Sequence, residues 1–326
     1  PGYLATDFKL FGKPALLYRE LTQKLVDQLS KFATEGAPGK ATVIDGLCGS
    51  GKSAELLKLA SFAAASGHIV IYGYSTIQWV NSSRPYAPSS ADDSFLQHET
   101  VMNLLRTVLS LSQEALAQVP LGKDVVLGKK TLGAEKTLAD LVDFGIQTPA
   151  LAHDALDQLL AVAGSQTKVP VLIALDEVNT LWCNTAYRDQ ENEVLPASRL
   201  RLVRSFLPYF EGSKKLAKGW AVGALSYLET KYMPKDLKAR LNPPKQIPIA
   251  NSDVASDPNL AKPPTRVPFD VVKVDRMTAR ETKGLLDFYH SVNVVQSPVT
   301  EALVAKKWIF ANGNPRQVFG SITSYF

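Results

Sequence analysis

Gly46-Leu47-Cys48-Gly49-Ser50-Gly51-Lys52-Ser53 satisfies every specified position of the pattern G-x-x-x-x-G-K-[ST]. Glycines at these intervals let backbone N–H groups turn inward around a chain of phosphates with no side chain in the way. A helix starting at Lys52 would aim its free N–H groups and positive end at the same point. In this reading Gly46, Gly49, Ser50 and Gly51 shape a cradle. Lys52 reaches the β and γ phosphates, and Ser53 sets its hydroxyl on Mg²⁺. A chain of this length meets the pattern by accident roughly once in a hundred.

A second group fits the same chemistry. Val171-Leu172-Ile173-Ala174-Leu175 is an unbroken apolar run ending in Asp176-Glu177. Asp176 is the candidate for the Mg²⁺ shell, and Glu177 is the candidate catalytic base that polarises an attacking water, should hydrolysis occur. By itself this is also how a strand ends in a solvated acidic turn. Following a complete phosphate loop, it reads as the second half of a nucleotide site. Two weaker candidates remain. Ser226 closes the next apolar run, where it could sense a γ phosphate. Arg316, in Gly313-Asn314-Pro315-Arg316, stands where a helix would begin and could fold back onto the nucleotide.

These residues need elements to position them. Ala41–Asp45 reads as a buried strand, Lys52–Ala65 as a helix ended by Gly67, and His68–Tyr72 as a second strand. Strand, helix, strand is the parallel α/β unit. Further helices are expected over 97–117, 138–144, 150–163 and 197–209, and buried strands over 171–175 and 220–225. Residues 234–268 hold eight of the 20 prolines and read as an extended segment. A short strand over 269–274 follows. Thr278 with Glu281 forms a capping-box pattern, and two helices close the chain. The expected fold is α/β: a parallel sheet flanked by helices, then a smaller, mainly helical C-terminal domain. The division expected is 1–30 as an N-terminal segment leading to a base pocket, 31–233 as the nucleotide-binding domain, 234–268 as the proline-rich segment and 269–326 as the helical domain.

Composition excludes several classes. The 326 residues are 45% hydrophobic and 21% charged, an ordinary balance for a globular chain. No run of 18 apolar residues suggests a membrane helix. Two cysteines, Cys48 and Cys183, make no disulfide framework. The four histidines lack zinc-ligand spacing, and no Gly-x-Ser-x-Gly elbow occurs. The formal charge of +5 is concentrated. Residues 213–245 carry eight basic side chains against two acidic ones, and the rest of the chain is nearly neutral. Lys214, Lys215, Lys218, Lys231, Lys235, Lys238 and Arg240 are therefore the candidates for contact with RNA phosphates or a partner. Trp220, Tyr227 and Tyr232 are interleaved with them, and Trp220 and Tyr227 read as core rather than as base-stacking residues.

The combination resembles the AAA+-like P-loop proteins of the mitochondrial small ribosomal subunit, the death-associated-protein family, its fungal members most closely. The resemblance rests on Phe11-Gly12-Lys13-Pro14-Ala15-Leu16-Leu17-Tyr18-Arg19-Glu20-Leu21, on Asp45 to Ser53, and on Leu172 to Trp182 with its Asn179-Thr180-Leu181-Trp182. Val274 to Glu281 and Gly313 to Arg316 complete it. It implies a constituent of the head of the mitochondrial small subunit, located in the matrix. Such a protein touches rRNA and neighbouring ribosomal proteins, spans no membrane and does not act as a free homo-oligomer. It also implies GTP or GDP with Mg²⁺, although no Asn-Lys-x-Asp motif distinguishes guanine from adenine and ATP stays open. A chain that starts at Pro1 agrees with an imported precursor.

Two other readings compete. One is an AAA+-type ATPase that remodels nucleic acid or protein as an oligomer. It needs an arginine reaching into a neighbour's site, and Arg201 and Arg204 are the placed candidates. The other is a regulated NTPase switch with a signalling partner.

Overall fold

The computed structural model describes residues 8–9, 11–36, 40–241 and 267–323. A five-stranded, wholly parallel sheet lies at its centre, built from β1 (Thr42–Asp45), β2 (Ile69–Gly73), β3 (Val171–Asp176), β4 (Gly219–Ala224) and β5 (Asp270–Lys273). Their order across the sheet is β5-β1-β4-β3-β2. Every residue of β1 to β4 is buried, which is why these strands read as unbroken apolar runs rather than as alternating ones.

The alternation is nevertheless present, between two apolar layers. Leu172 and Ala174 join Ile44, Val70 and Val222 on one face, against α1 (Glu20–Glu35) and α2 (Lys52–Ala65). Val171, Ile173 and Leu175 face the other way with Val43 and Ile71. That face is covered by α3 (His98–Ala117), α4 (Leu138–Gln147), α5 (Ala152–Ser165) and α6 (Arg201–Glu211). The C-terminal part is helical, with α7 (Ala279–Ser291), α8 (Glu301–Ala311) and α9 (Pro315–Thr323) around a separate core of Met277, Leu286, Tyr289, Val304 and Val318. The expected Thr278–Glu281 capping box opens α7, each partner bonding the other's backbone N–H.

Two differences from the sequence reading have local causes. Lys235–Leu241 is a short helix, although it lies in the segment expected to be extended. Pro234 precedes it, the place where proline favours a helix start, and Leu237 is buried. Residues 242–266, most of the proline-rich segment, lie outside the described residues. The second difference is three small hairpins, for example Val125–Leu127 with Lys130–Leu132; all their strands but Asn184–Arg188 are two or three residues long, too short for periodicity to register.

Beneath the outer helices His153 is 1% exposed, and its Nε2 accepts the backbone N–H of Gln97 at 2.8 Å. Burial pushes its pKa down to about 3, and the nearby Arg201 and His98 act in the same direction. Between the ordinary histidine value and about 3, the unfolded chain binds a proton that the folded chain refuses. Stability therefore falls as pH falls through that window, by at most about 1.4 kcal/mol per pH unit. Urea midpoints between about pH 7 and pH 5 should drop more steeply for the wild type than for His153→Gln.

Candidate functional site

The carboxyl ends of the strands, where open α/β sheets receive ligands, meet the C-terminal helices around a cavity of about 790 Å³. Gly49, Ser50, Gly51, Lys52, Ser53, Asp176, Glu177, Ser226 and Arg316 all line it. Residues from four distant parts of the chain, each singled out by type and spacing, thus converge on one space. Gly46 is not in the lining. It contributes its carbonyl oxygen, which holds Lys52.

The glycine-rich loop leaves β1 and opens α2. Gly51 occupies the helix N-cap with φ +101°, a left-handed conformation that favours glycine, and a Cβ there would meet nothing within 4 Å. Open space at that point is what an approaching phosphate needs. Gly49, at φ +78°, is different. A Cβ there would lie 2.7 Å from the Cβ of Arg316. Asn314 donates from Nδ2 to the carbonyl of Cys48 at 2.8 Å, and its Oδ1 accepts the N–H of Arg316 at 3.0 Å. The Gly313–Arg316 turn therefore seats α9 directly on the loop. This is how a residue near the C-terminus reaches the site.

Lys52 is 7% exposed, and its ammonium donates to the carbonyls of Gly46 and Leu47 at 2.8 and 2.9 Å. Burial lowers its pKa, while Asp45, Cys48 and Asp176 pull it back up. Asp45, at the end of β1, accepts the Gly46 N–H and the Tyr227 hydroxyl and pairs with Lys273. It thus ties the loop to β5 and to the segment after β4.

Asp176 is 2% exposed, and burial with the adjacent Glu177 raises its pKa to about 7. The nearby Ser53 hydroxyl acts in the opposite direction. Glu177 has φ +64°, an unusual conformation for a residue with a Cβ. The turn is held by Thr76, whose hydroxyl donates to the carbonyls of Asp176 and Glu177 at 2.7 and 2.8 Å. The Thr180 hydroxyl bonds to that of Thr76. Oε2 of Glu177 accepts the Ser75 hydroxyl at 2.8 Å and the Ile77 N–H at 3.2 Å. Oε2 is thus drawn toward the segment after β2, and Oε1 is the oxygen left for water. Burial raises the Glu177 pKa, and those two hydrogen bonds oppose the rise.

Asn179 is fully buried. Its Oδ1 accepts the Ser226 N–H, and its Nδ2 donates to the Tyr232 carbonyl. The Asn179–Thr180 pair therefore braces the acidic turn against its neighbours. The sequence does not single out Ser75 or Thr76, and it marks Tyr227 as core, whereas Tyr227 is half-buried in the cavity wall with its hydroxyl on Asp45. Hydroxyl residues after a strand carry no signal until their partner is known.

The basic segment, continuous in sequence, is divided in space. Lys214 and Lys215 are exposed in the turn before β4, and Lys218 is half-buried at its amino end. Lys231, Lys235, Lys238 and Arg240 lie beyond the carboxyl end, so the length of β4, about 20 Å, separates the groups. Lys231 pairs with Glu229. Trp220 and Tyr232 are buried, and Tyr227 is half-buried in the cavity wall. Arg201 is bound by Asp154 and Asp157, and Arg204 by Asp92 and Asp93.

Cys48 is exposed on the loop, whereas Cys183 is buried and its thiol is pushed up to about 12. The native chain should therefore take up one equivalent of iodoacetamide, at Cys48, and the denatured chain two, as peptide mass spectrometry would read.

Residues 16–321 match the sequence model of the family described as mitochondrial ribosomal death-associated protein 3. The chain belongs to that family. It is 22% identical to the small ribosomal subunit protein mS29 of Schizosaccharomyces pombe, over 97% of this chain and 66% of that protein. The mS29 of Neurospora crassa is 21% identical, over 92% of this chain and 65% of its own length. That of Bos taurus is 23% identical, over 97% and 77%. The chain thus spans just under two thirds of the length of the two fungal relatives. The matched region contains the glycine-rich loop, the acidic turn and the Arg316 turn.

Proposed function

We propose that the chain is a structural constituent of the small subunit of the mitochondrial ribosome, in the matrix, and that it holds a nucleotide which it hydrolyses slowly or not at all. Family membership and the names of the mS29 relatives support the ribosomal part. The observation that carries the nucleotide part is the convergence of the glycine-rich loop, Asp176 and Arg316 on one cavity. The loop supplies backbone N–H groups and Lys52 for the phosphates. The N-terminal segment around Leu16 and Leu17, with Met277 and Leu285, supplies an apolar wall for a base. GTP or GDP is the nucleotide that the family resemblance implies, and ATP would use the same phosphate contacts.

The residues present fit Mg²⁺. Ser53 and Asp176 offer a hydroxyl and a carboxylate in the same cavity lining, close enough for the hydroxyl to lower the Asp176 pKa. Among the described residues no cluster of three or more His, Cys, Asp or Glu side chains could hold a metal alone. Two hard oxygens, completed by phosphate and water, are the usual Mg²⁺ arrangement at a nucleotide. When bound, the ion neutralises phosphate charge.

Slow turnover is supported by the hold on Glu177: the bonds from Ser75 and Ile77 to Oε2 lower the basicity of the carboxylate and fix its orientation, leaving Oε1 to face water. Ser75→Ala removes the stronger of these bonds and should raise single-turnover hydrolysis by about tenfold, the worth of one charge-assisted hydrogen bond. Glu177→Gln should lower it to background, with nucleotide affinity kept in both variants. The oligomeric ATPase reading loses support because both of its candidate arginines are already paired within the chain.

The deciding experiment is a sucrose gradient of mitochondrial extract, with identification of the nucleotide retained. Co-sedimentation with the small subunit and a guanine nucleotide in the same fractions is expected. A free protein with rapid hydrolysis stimulated by self-association or DNA would overturn the proposal.

A further inference from the structure

The edge of the sheet opposite the cavity carries a second feature. Strand register places Lys40, two residues before β1, level with Trp220 of β4, with Lys218 just below it. Across the next pairing Gly219 meets Val171, which puts Lys168 at the same edge. The Lys168 ammonium donates to the Gln118 carbonyl at 2.9 Å. That contact brings in the end of α3 and the strap beside it, where the Lys136 carbonyl accepts the N–H of Leu121. Lys214 and Lys215 complete the group from the turn after α6. Six lysines from four separate stretches of chain thus share one edge.

Three observations say what this edge is for. First, among the described residues none of the six forms an ion pair, whereas Arg199, Arg201 and Arg204 on the flank are all paired with aspartates. The group therefore keeps a net positive charge, with Asp140 within electrostatic reach of Lys136. The nearest acids are few: Glu135 and Asp140 lie beside Lys136, Asp270 starts the outer strand, and Glu211 accepts the Trp182 indole N–H. Second, no large exposed apolar side chain falls at residue 40, in 166–170 or in 212–218, and the strap of Lys136 exposes one alone, Val126. Protein interfaces are built on an apolar centre and are depleted in lysine, so an acidic protein fits poorly. Third, Trp220 is in the core, with its indole N–H on Thr42. Among the described residues the edge therefore offers no aromatic platform on which a single-stranded base could stack.

We infer that the amino edge of the sheet, through Lys40, Lys136, Lys168, Lys214, Lys215 and Lys218, binds the phosphate backbone of duplex RNA. This contact is sequence-independent and physically separate from the nucleotide cavity. It rests on the ribosomal reading for the presence of RNA, and it divides the basic segment: the 214–218 group holds RNA, and the 231–240 group does not.

The test is electrophoretic mobility of the full chain, nucleotide present, on a mixed-sequence RNA duplex over a salt series. The variants are Lys40→Glu/Lys214→Glu/Lys215→Glu, the matching triple to Arg, and Lys231→Glu/Lys235→Glu/Lys238→Glu. The first should lose at least about tenfold in affinity and flatten the log–log salt slope by about 2 to 3. The arginine triple and the 231–238 triple should each stay within about twofold of wild type. Unchanged binding in the first variant, or an equal loss in the 231–238 triple, overturns the assignment. Equal competition by polyglutamate and by RNA at matched charge overturns it in favour of an acidic protein partner. Nucleotide affinity measured in the same samples verifies folding. Duplex binding with no co-sedimentation would reject the ribosomal reading and leave this surface standing.

Discussion

Lys52→Ala should lose nucleotide affinity by about 100-fold, equivalent to about 2.7 kcal/mol. The size follows from where the ammonium sits. It is nearly inaccessible to solvent and held by two carbonyls of its own loop. A charge-assisted hydrogen bond contributes about 1.5–3 kcal/mol, and Arg316, which reaches the cavity from α9 rather than from the loop, does not take the place of Lys52 between the loop carbonyls. Two measurements separate binding from folding. Isothermal titration should give the affinity loss. Thermal melts without nucleotide should change little, because burying this charge costs stability, as its lowered pKa indicates. Melts with saturating nucleotide should show the wild type shifted upward and the variant unmoved. Nucleotide should also protect Cys48 from alkylation in the wild type and fail to do so in the variant. Unchanged affinity in Lys52→Ala would remove the phosphate-loop assignment.

The two halves of the molecule differed in how readable they were. The Gly46–Ser53 loop and the Val171–Glu177 strand were legible because each is local. A backbone that must turn around phosphates needs glycines at fixed offsets, and a strand buried on both faces needs an unbroken apolar run. What joins them was not legible. Thr76 reaches Asp176 across 100 residues, Tyr227 reaches Asp45 across 182, and Asn314 reaches Cys48 across 266. A hydroxyl or amide after a strand looks the same in sequence whether it braces a turn or faces water. Charge shows the opposite failure. Lysines that are neighbours in sequence separate by the length of β4, and Lys40 and Lys168, remote in sequence, join the edge through strand register. Glu177 is legible as a base by type and position, but the bonds that orient it through Oε2 and lower its basicity come from Ser75 and Ile77, 100 residues or more away.

Gly219 is the position where one methyl group should do the most damage. The apolar run suggests a strand beginning at Trp220, but β4 starts one residue earlier, and that residue has φ +131°. A Cβ built there falls 1.9 Å from the carbonyl oxygen of Val171 and 2.7 Å from its N and C atoms. These are backbone atoms of the neighbouring strand, so no rotamer change relieves the overlap. Either the β3–β4 pairing opens at its amino end or Gly219 leaves a conformation that an L side chain already disfavours. Gly219→Ala should therefore cost about 3–5 kcal/mol, at the upper end for point substitutions and a large share of the 5–15 kcal/mol that holds a typical domain together. The loss should appear as a urea midpoint shift with nearly unchanged slope. Its functional consequence should run in both directions along the strand. At the carboxyl end β4 delivers Ser226 and Tyr227 to the cavity, and at the amino end it carries Lys218. Nucleotide and duplex RNA binding should therefore weaken together in Gly219→Ala. Lys52→Ala should remove the first alone, and reversal of Lys40, Lys214 and Lys215 the second alone. Independent loss in Gly219→Ala would mean that β4 does not couple the two ends.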